Sequence, residues 1–340
     1  MRIGIACTLK PNAPLPPGAP DDLHEEFDSP ATVKAIADVL TSFGHTVALL
    51  GDGRPFLEAV LNDPPDLVFN FAEGAGVSRS REARVPAVCE MLGVPYTGSD
   101  PFALAVALDK DATRRLAESF GLTVPKGITL APAVGDYDGD FAEFAPVLEE
   151  AGLALPVIAK PTCEGSSKGI RGKCLIKSAA DFGPAVVGLW RDYQQPVLVE
   201  EYIAGDEITI GLYGCDPPQP IGVMQIVPKQ PAADFVYSLE VKRNWHDAVD
   251  YVAPAQLPRE VLHAIEADAM ALYAGLGCRD VARLDFRVRD GVPYFLEINP
   301  LPGLNPDSGD LCYLAYRMGL TYPELLKLIL DSAVARYGLV

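Results

Sequence analysis

The sequence predicts an α/β protein, with a doubly wound parallel sheet in an N-terminal unit and mixed sheets in two units that follow it. Three observations lead to this prediction. Strand-like and helical runs alternate through the first hundred residues, which is typical of a doubly wound sheet. Strand-like runs become denser in the middle of the chain. A length of 340 residues exceeds one ordinary core and suits two or three units.

The first unit, residues 1–100, has a well-marked first helix. Asp28-Ser29-Pro30 supplies a capping side chain followed by proline at the first helical position, and Gly44 marks the end. Short apolar runs predict strands, and apolar residues at helical spacing predict helices. The predicted strands of this unit cover residues 3–6, 46–50 and 66–71, and its predicted helices cover residues 31–44, 55–61 and 79–93.

The second and third units, residues 101–199 and 200–340, are predicted from the same patterns. A helix over 101–120 opens the second unit, and a polar stretch rich in Gly and Asp at 135–140 predicts a surface loop. Residues 228–258 look irregular, and a loop of that length is usually functional or disordered. The other predicted strands are 157–160, 174–177, 197–200, 208–213 and 221–226, and the other predicted helices are 259–276 and 323–336.

The composition argues against several classes of partner. A net charge of −18 and a pI near 4.6 disfavour nucleic acid and anionic membrane surfaces, because binding to polyanions needs clustered Lys and Arg. Seven cysteines without Cys-x-x-Cys spacing predict reduced, mostly buried thiols. The N-terminal apolar run is too short for a signal peptide, and no segment approaches a membrane span. We therefore expect a cytoplasmic protein that binds neither nucleic acid nor membrane.

A β-hairpin in the C-terminal third carries the most informative side chains. Arg283-Leu284-Asp285 precedes a turn at Asp290-Gly291, and Glu297-Ile298-Asn299 follows the turn. Residues two apart on a strand share a face. With a three-residue loop over 289–291, Arg283 falls opposite Glu297, and all four polar side chains lie on one face. The pattern predicts one polar cluster at the ends of the hairpin.

Such a cluster would need a counter-charge. Two carboxylates about 4 Å apart at a protein surface repel by about 4 kcal/mol. A hard cation relieves this repulsion, and Mg²⁺ with few protein ligands usually completes its shell with water and nucleotide phosphates. The alternative is an ordinary hairpin with an Arg–Glu pair, which is common and contributes little. The rigid turn over residues 300–305, directly after the hairpin, favours the metal site.

A second candidate site follows the predicted strand at 157–160. Lys160 ends an apolar run, and Glu164-Gly165-Ser166-Ser167-Lys168-Gly169 comes soon after it. Small residues let backbone N–H groups approach phosphate oxygens, and a nearby lysine neutralises their charge. The spacing is not that of a P-loop. The segment has the composition of a phosphate-binding loop, and the alternative is a flexible surface hairpin.

Other charged positions are weaker candidates. Glu200 ends an apolar strand and Glu207 follows it, where carboxylates could accept hydrogen bonds from the adenine amine and the ribose hydroxyls. As lone acidic residues, both would more often be solvated. Asp109-Lys110 lies on the predicted helix over 101–120, where a solvent-facing ion pair is the simpler interpretation. The four histidines have no metal spacing, and we assign them no ligand role.

In this order, these segments resemble the motifs of ATP-grasp ligases of the D-alanine:D-alanine ligase type. The resemblance covers nearly the whole chain and implies an α+β ATP-grasp fold. Residues 1–100 then form the domain before the grasp, and 101–199 and 200–340 form its central and C-terminal subdomains. Six groups of residues carry the resemblance: 91–99, Asp109-Lys110, Lys160-Pro161 with 164–167, Glu200 with Glu207, Arg283-Leu284-Asp285, and Glu297-Ile298-Asn299 with Pro302-Gly303.

The resemblance implies roles for single residues in binding ATP and metal. Two Mg²⁺ ions, which Mn²⁺ can replace, would be bound by Asp285, Glu297 and Asn299, with Glu297 bridging them. The residues implied to bind ATP are Lys110, Lys160 and Lys242 at the phosphates, Glu164 and Ser166 in the loop, Glu200 and Glu207 at adenine and ribose, and the backbone of Glu201 and Ile203 at the base.

The resemblance also implies catalytic and substrate-binding residues. Arg283 matches the arginine that stabilises the tetrahedral intermediate, and Ser166 matches a serine that helps to close the active site. Glu26 is our candidate for the acid that holds the ammonium group of the first substrate, although His24 and Glu25 compete for this role. The substrate-binding candidates are Glu26, Arg243, Arg283 and Ser308.

The implied reaction joins two amino acids. A carboxylate attacks the γ-phosphate of ATP, an amine then attacks the acyl phosphate, and a lid over residues 228–258 excludes water. The leading instance is D-alanine:D-alanine ligation for peptidoglycan by a homodimer. The alternatives are a ligase for other amino acids in secondary metabolism, an ATP-grasp kinase that stops at phosphate transfer, and a nucleotide-binding protein without catalysis.

Departures from the family pattern fall where substrates are chosen. Asn70-Phe71-Ala72-Glu73-Gly74 stands where the peptidoglycan enzymes usually carry a His-Gly start and a Gly-Glu-Asp-Gly run. Arg243 occupies a lid position generally held by tyrosine, and glycine follows Ser308 where leucine is usual. The sequence therefore predicts the ligase chemistry more strongly than it predicts D-alanine as both substrates.

Overall fold

The structure, a computed structural model, describes residues 1–132, 144–231 and 234–339. The predicted loop at 135–140 lies outside these residues. The described helices are α1 (Pro30–Ser42), α2 (Gly53–Asn62), α3 (Arg84–Leu92), α4 (Pro101–Leu108), α5 (Lys110–Ser119), α6 (Ala145–Glu150), α7 (Ala179–Tyr193), α8 (Leu239–Arg243), α9 (Trp245–Ala248), α10 (Arg259–Leu276), α11 (Asp310–Arg317) and α12 (Tyr322–Tyr337).

The described strands form three separate sheets. They are β1 (Arg2–Cys7), β2 (Thr46–Gly51), β3 (Leu67–Phe71), β4 (Gly127–Leu130), β5 (Val157–Pro161), β6 (Leu175–Ile176), β7 (Val197–Glu201), β8 (Asp206–Tyr213), β9 (Gln219–Pro228), β10 (Val249–Val252), β11 (Val281–Arg289) and β12 (Val292–Asn299). The division into units at residues 100 and 200 stays a prediction.

The first sheet confirms the predicted parallel unit. Its order is β2-β1-β3, and both neighbours of β1 run parallel to it. Ile3 and Phe69 pack with Ile36 of α1, so the apolar face of this helix covers the sheet. The side chain of Ser29 accepts a hydrogen bond from the Thr32 N–H, as expected of the predicted helix cap.

The second sheet is antiparallel, with the order β4-β7-β5-β6, and α7 packs on it. The helix predicted over 101–120 is interrupted. Asp109 has an extended backbone, and its side chain accepts a hydrogen bond from the Ala112 N–H, so it ends α4 and caps α5. Both helices pack with the third sheet, where Ala103 and Ala117 join the same core as Leu284.

The third sheet has five strands in the order β10-β9-β8-β11-β12, all antiparallel. The prediction that 228–258 is irregular is wrong for the part from Leu239 to Val252. It contains α8, α9 and β10, and β10 extends the sheet by pairing Tyr251 with Ile226. None of the helices in the described part of the chain is long and apolar enough to cross a membrane.

The loop of the β11–β12 hairpin is one residue shorter than predicted. Arg289 pairs with Val292, which leaves Asp290 and Gly291 as a two-residue turn. Both have positive φ, 53° and 78°, as the tightest hairpin turns require. The predicted three-residue loop over 289–291 is therefore wrong.

A bulge in the hairpin restores the predicted face. The short turn alone would place Asp285 opposite Leu296, and a shift of one residue moves every side chain to the other face. A register shift directly after Asp285 adds one residue to β12. Asp285 therefore pairs with Glu297 and Arg283 pairs with Asn299. The predicted opposition of Arg283 and Glu297 is wrong, but all four side chains remain on one face.

Candidate active site

A cleft lies between the second and third sheets. Lys160 and Glu200 line it from the second sheet, Glu207 and Glu297 line it from the third, and Tyr237 closes it from the segment before α8. The cavity between these walls has a volume of about 90 Å³, so the cleft is narrow compared with an open ligand pocket. The charged groups converge on a partly apolar cavity, an arrangement that suits a nucleotide.

Buried ion pairs hold the acidic side chains of this cleft. Lys160 Nζ lies 2.5 Å from Glu200 Oε1, and Glu200 is only 3% exposed. Arg287 Nε lies 2.8 Å from Glu207 Oε2, and Arg287 also donates to the Ile203 carbonyl oxygen. The interpretation of Glu200 as a solvated residue is therefore wrong. Arg287 fixes the backbone near the predicted base site, and no sequence pattern had singled it out.

The polar cluster of the hairpin gathers more side chains than predicted. Arg283 Nη2 lies 2.8 Å from Asp285 Oδ2 and 3.6 Å from Glu297 Oε1. The Thr209 hydroxyl donates to Asp285 Oδ1 over 2.7 Å. Lys110 Nζ lies 3.1 Å from Glu297 Oε2, and Lys110 is 5% exposed. The interpretation of Lys110 as a solvent-facing residue is therefore wrong, because its charge points into the cluster.

The charges of the cluster fit a hard cation. Burial opposes ionisation of Glu297, but Lys110 and Arg283 hold its pKa below the usual range. Burial raises the pKa of Asp285, Arg283 opposes this rise, and the charge of Glu297 adds to it. Among the described residues, no group of three or more His, Cys, Asp or Glu could hold a metal. Two carboxylates with the Asn299 amide therefore suit an ion that phosphates also coordinate.

The loop after β5 is held in place, so it is not a flexible surface hairpin. Ser166 and Ser167 have φ of 50° and 58°, which is uncommon for residues other than glycine. The Ser167 hydroxyl donates to the Tyr237 carbonyl oxygen over 3.2 Å. Glu164 is buried, with Lys168 Nζ 2.7 Å from its Oε2. The loop thus presents Ser166 towards the hairpin and contacts the segment that closes the cleft.

A buried arginine that the sequence analysis missed links this loop to the first unit. Arg81 is 1% exposed, and its Nη2 lies 2.8 Å from Glu26 Oε1 and 3.3 Å from Glu164 Oε2. Its Nη1 donates to the Cys163 carbonyl oxygen, and the Gly165 N–H donates to the Glu26 carboxylate. Glu26, the candidate for the substrate ammonium, therefore already has a partner. Its predicted role stays a prediction.

A second pocket adjoins the cleft. Tyr237 and Lys242 line both cavities, so a ligand in the cleft and a ligand in the second pocket would meet beside these side chains. Arg283 and Asn299 of the hairpin form part of the second pocket, whereas Asp285 faces the first. The hairpin thus separates the narrow charged cleft from a pocket of mixed polar and aromatic lining.

The second pocket contains the remaining substrate-binding candidates. Arg243 Nη1 lies 2.7 Å from Asp21 Oδ2, and its Nη2 lies 2.7 Å from Glu25 Oε2. These pairs fasten α8 to the first unit. Ser308 also lines the pocket and is exposed. Glu25 borders the same pocket, so the structure brings both competing acids, Glu25 and Glu26, to its edge.

Two antiparallel sheets that face each other across a charged cleft, attached to a parallel α/β unit, define the architecture of ATP-grasp ligases. A family model described as the C-terminus of D-Ala D-Ala ligase matches residues 116–331. The D-alanine–D-alanine ligase of Moorella thermoacetica is 32% identical over 307 residues, covering 88% of this chain and 92% of that protein. The chain belongs to the D-alanine:D-alanine ligase family.

A further relative agrees with this assignment, and solved structures share the fold. The D-alanine–D-alanine ligase of Gluconobacter oxydans is 31% identical over 308 residues, covering 89% of this chain and 93% of that protein. The Bacillus anthracis D-alanine–D-alanine ligase complexed with ATP has a TM-score of 0.70 and 20% identity, covering 99% of both chains. The VanG D-Ala:D-Ser ligase of Enterococcus faecalis has a TM-score of 0.71 and 21% identity, covering 98% of this chain and 99% of that chain. The predicted fold class is confirmed.

Proposed function

We propose that this protein is an ATP-dependent, ADP-forming ligase that joins the carboxylate of one amino acid to the amine of a second. Its leading instance is D-alanine:D-alanine ligation, the activity that the names of its relatives describe. One observation carries the proposal. Arg283 lines the second pocket and lies within 4 Å of carboxylates of Asp285 and Glu297, which line the cleft, and of Asp310. A phosphate in the cleft and a carboxylate in the second pocket would approach each other there.

The proposed reaction has two bond-forming steps. A carboxylate oxygen of the donor attacks the γ-phosphorus of ATP, the bond to the β-phosphate oxygen breaks, and ADP leaves. The amine nitrogen of the acceptor then attacks the acyl carbon, phosphate leaves, and the surplus proton passes to solvent. Lys110, Lys160 and Lys242 balance the phosphate charge, and Arg283 stabilises the oxyanion. Mg²⁺ at Asp285, Glu297 and Asn299 would add charge neutralisation when bound.

The closed arrangement protects the acyl phosphate. The Tyr202 hydroxyl and Arg287 both donate to the Phe235 carbonyl oxygen, and the Leu239 N–H donates to the Ile170 carbonyl oxygen. These contacts place the segment around α8 over the cleft. Water that entered the cavity would hydrolyse the intermediate. The segment therefore has the position that the proposed lid requires.

Two further properties belong to this proposal. We propose a cytoplasmic location, supported by seven free cysteines of which six are buried, because disulfides are rare in reducing compartments. We also propose the homodimer that is usual in the family. Sedimentation analysis tests the second property.

The test of the ligase chemistry is ADP release from ATP with single amino acids and pairs, of both stereochemistries. Hydroxylamine replaces the acceptor in one arm, because it traps any acyl phosphate as a hydroxamate and identifies the donor. Release that needs no amine would instead indicate the kinase alternative. Asn299→Ala and Glu297→Gln should lower turnover at least a hundredfold with an unchanged circular dichroism spectrum. Asp307→Asn, at an exposed acid nearby, is the control. Near-normal turnover in either hairpin variant would remove the metal assignment.

A further inference from the structure

Asp310, the first residue of α11, occupies an unusual place in the second pocket. Its Oδ2 lies 3.4 Å from Arg283 Nη1 and 3.4 Å from Lys242 Nζ. The Tyr237 hydroxyl donates to its Oδ1 over 2.9 Å. The side chain is 9% exposed and lines the pocket. One buried carboxylate of the protein thus bridges the catalytic arginine and the lysine that borders both cavities.

The ionised form of Asp310 is the stable one. Burial alone would raise its pKa, but Lys242 and Arg283 lower the pKa below its ordinary value. The two cations therefore face a permanent negative charge at neutral pH. They are the side chains that an incoming carboxylate would otherwise contact at this point of the pocket.

Two of the cations around the pocket have further carboxylate partners. Arg243 pairs with Asp21 and Glu25, as described above. Arg283 additionally contacts Asp285. Lys10 also lines the pocket and is exposed to solvent. Beside Asp310, the two cations within 4 Å, Lys242 and Arg283, are both paired with its carboxylate. A free carboxylate of a second substrate would therefore compete with Asp310 for these two cations.

We propose that Asp310 selects an acceptor whose amine has no free carboxylate beside it, such as an amino acid with its own carboxyl group in amide linkage. This inference rests on the proposed ligase function and keeps its chemistry, but it replaces D-alanine, the leading acceptor, with an amine that has no free carboxylate. The donor still carries the carboxylate that ATP activates. The acceptor nitrogen forms the new C–N bond, the acyl C–O bond to phosphate breaks, and the proton of the amine passes to solvent.

The position of Ser308 supports the same inference. Ser308 is our candidate for binding a substrate carboxylate, and it lies in the turn just before α11, two residues before Asp310. A carboxylate held by Ser308 would approach the buried charge of Asp310, and like charges disfavour each other. A neutral amide at the same place accepts the serine hydroxyl without this repulsion. The pocket therefore discriminates by charge rather than by size.

The experiment compares D-alanine with D-alaninamide as acceptors, because they differ mainly in this charge and the amide cannot act as donor. The donor is first identified in the hydroxylamine arm and then held at saturation. ADP release and the mass of the product are measured. The wild-type protein should show at least tenfold higher kcat/KM for D-alaninamide than for D-alanine. This comparison needs no variant.

Asp310→Asn then tests the residue. Asparagine keeps an oxygen for the Tyr237 hydroxyl and removes the charge, so the preference for the amide should fall at least tenfold, mainly through a lower KM for D-alanine. Asp307→Asn should leave the preference unchanged. A merely structural role of Asp310 would lower both activities and leave their ratio unchanged, which would overturn the proposal.

The two proposals fail in different ways. If no amino acid supports ADP release even with hydroxylamine, the ligase function itself is wrong. If hydroxylamine supports release and D-alanine is an acceptor as good as D-alaninamide, the ligase function stands and the role of Asp310 is wrong.

Discussion

Replacing Arg81 with methionine is the most direct test of how the units are joined. Methionine is unbranched and uncharged, so it removes the guanidinium and keeps the packing of the aliphatic part of the side chain. Arg81 is buried, and its charge compensates Glu26 and Glu164 at 2.8 and 3.3 Å. Removing one member of a buried ion pair costs about 3–5 kcal/mol, because the remaining charge stays uncompensated.

The neighbouring lysine sets the expected size of the effect. Lys168 Nζ lies 2.7 Å from Glu164 Oε2 and 3.7 Å from Glu26 Oε2, so it keeps part of the compensation. We therefore expect the lower end of the range, a loss of about 3 kcal/mol in the free energy of unfolding at pH 7. Urea denaturation followed by circular dichroism measures this loss. Arg84→Met, three residues away at an exposed position, is the matched control.

The effect of Arg81→Met should also depend on pH. Burial opposes ionisation of Glu26, but Arg81 and Lys168 lower its pKa below 4.5. In the wild type, ionised Glu26 therefore stabilises the fold above pH 4.5, and this contribution is lost as pH falls through the lowered pKa. In the variant the pKa of Glu26 should rise above 4.5, and the loss in the free energy of unfolding should shrink from pH 7 towards pH 5. Adding Glu26→Gln to the variant should recover at least half of the loss seen at pH 7. A loss below about 1 kcal/mol at pH 7, or one independent of pH, would refute the buried-pair argument.

Three other changes have defined outcomes. Lys160→Gln should weaken ATP binding at least tenfold, measured by calorimetry, because the charge of Lys160 lies in the cleft. Lys126→Gln, at an exposed site, should leave ATP affinity unchanged. Equal ATP affinities of the Lys160→Gln variant and the wild type would contradict the phosphate site. Burial raises the pKa of Asp28 from 3.8 to about 7, so its protonated form, which stabilises the fold, is lost as pH rises through this window. The free energy of unfolding, measured by urea denaturation, should fall by at most about 4 kcal/mol across the window, and Asp28→Asn should abolish this fall. An unchanged fall in the variant would contradict the role of Asp28. Arg243→Leu should change amino-acid preference in the ADP assay more than ATP affinity, and an unchanged profile would count against its place at the pocket.

Local patterns predicted the elements whose signals lie within one segment. The first helix was found because its cap, its proline and its apolar face are all encoded within a few residues, and Ser29 caps it as expected. Apolar periodicity predicts one continuous helix over 101–120, because periodicity contains no information about a capping side chain in the middle of a helix. Asp109 breaks the helix by accepting a hydrogen bond from the Ala112 N–H.

The hairpin shows how a partly wrong local prediction can still give the right face. The turn is one residue shorter than predicted, and the bulge after Asp285 adds one residue back. Sequence alone does not reveal this compensation, because a bulge is stabilised by what packs against it and by the ladder with β8 on its other side. The grouping of Arg283, Asp285, Glu297 and Asn299 survived because strand periodicity depends only on even or odd spacing.

By itself, the sequence determined the order of the motifs, the alternation of helices and strands and the residue types available to bind ATP. Those properties are local or linear, so spacing and periodicity contain them. Only the tertiary structure decided that Arg81 compensates Glu26, that Lys110 points at Glu297, and that Asp310 lies between Arg283 and Lys242. The physical reason is that ion pairs depend on distance in space. Arg81 meets the Cys163 carbonyl across 82 residues of chain, and no pattern along the chain encodes that approach.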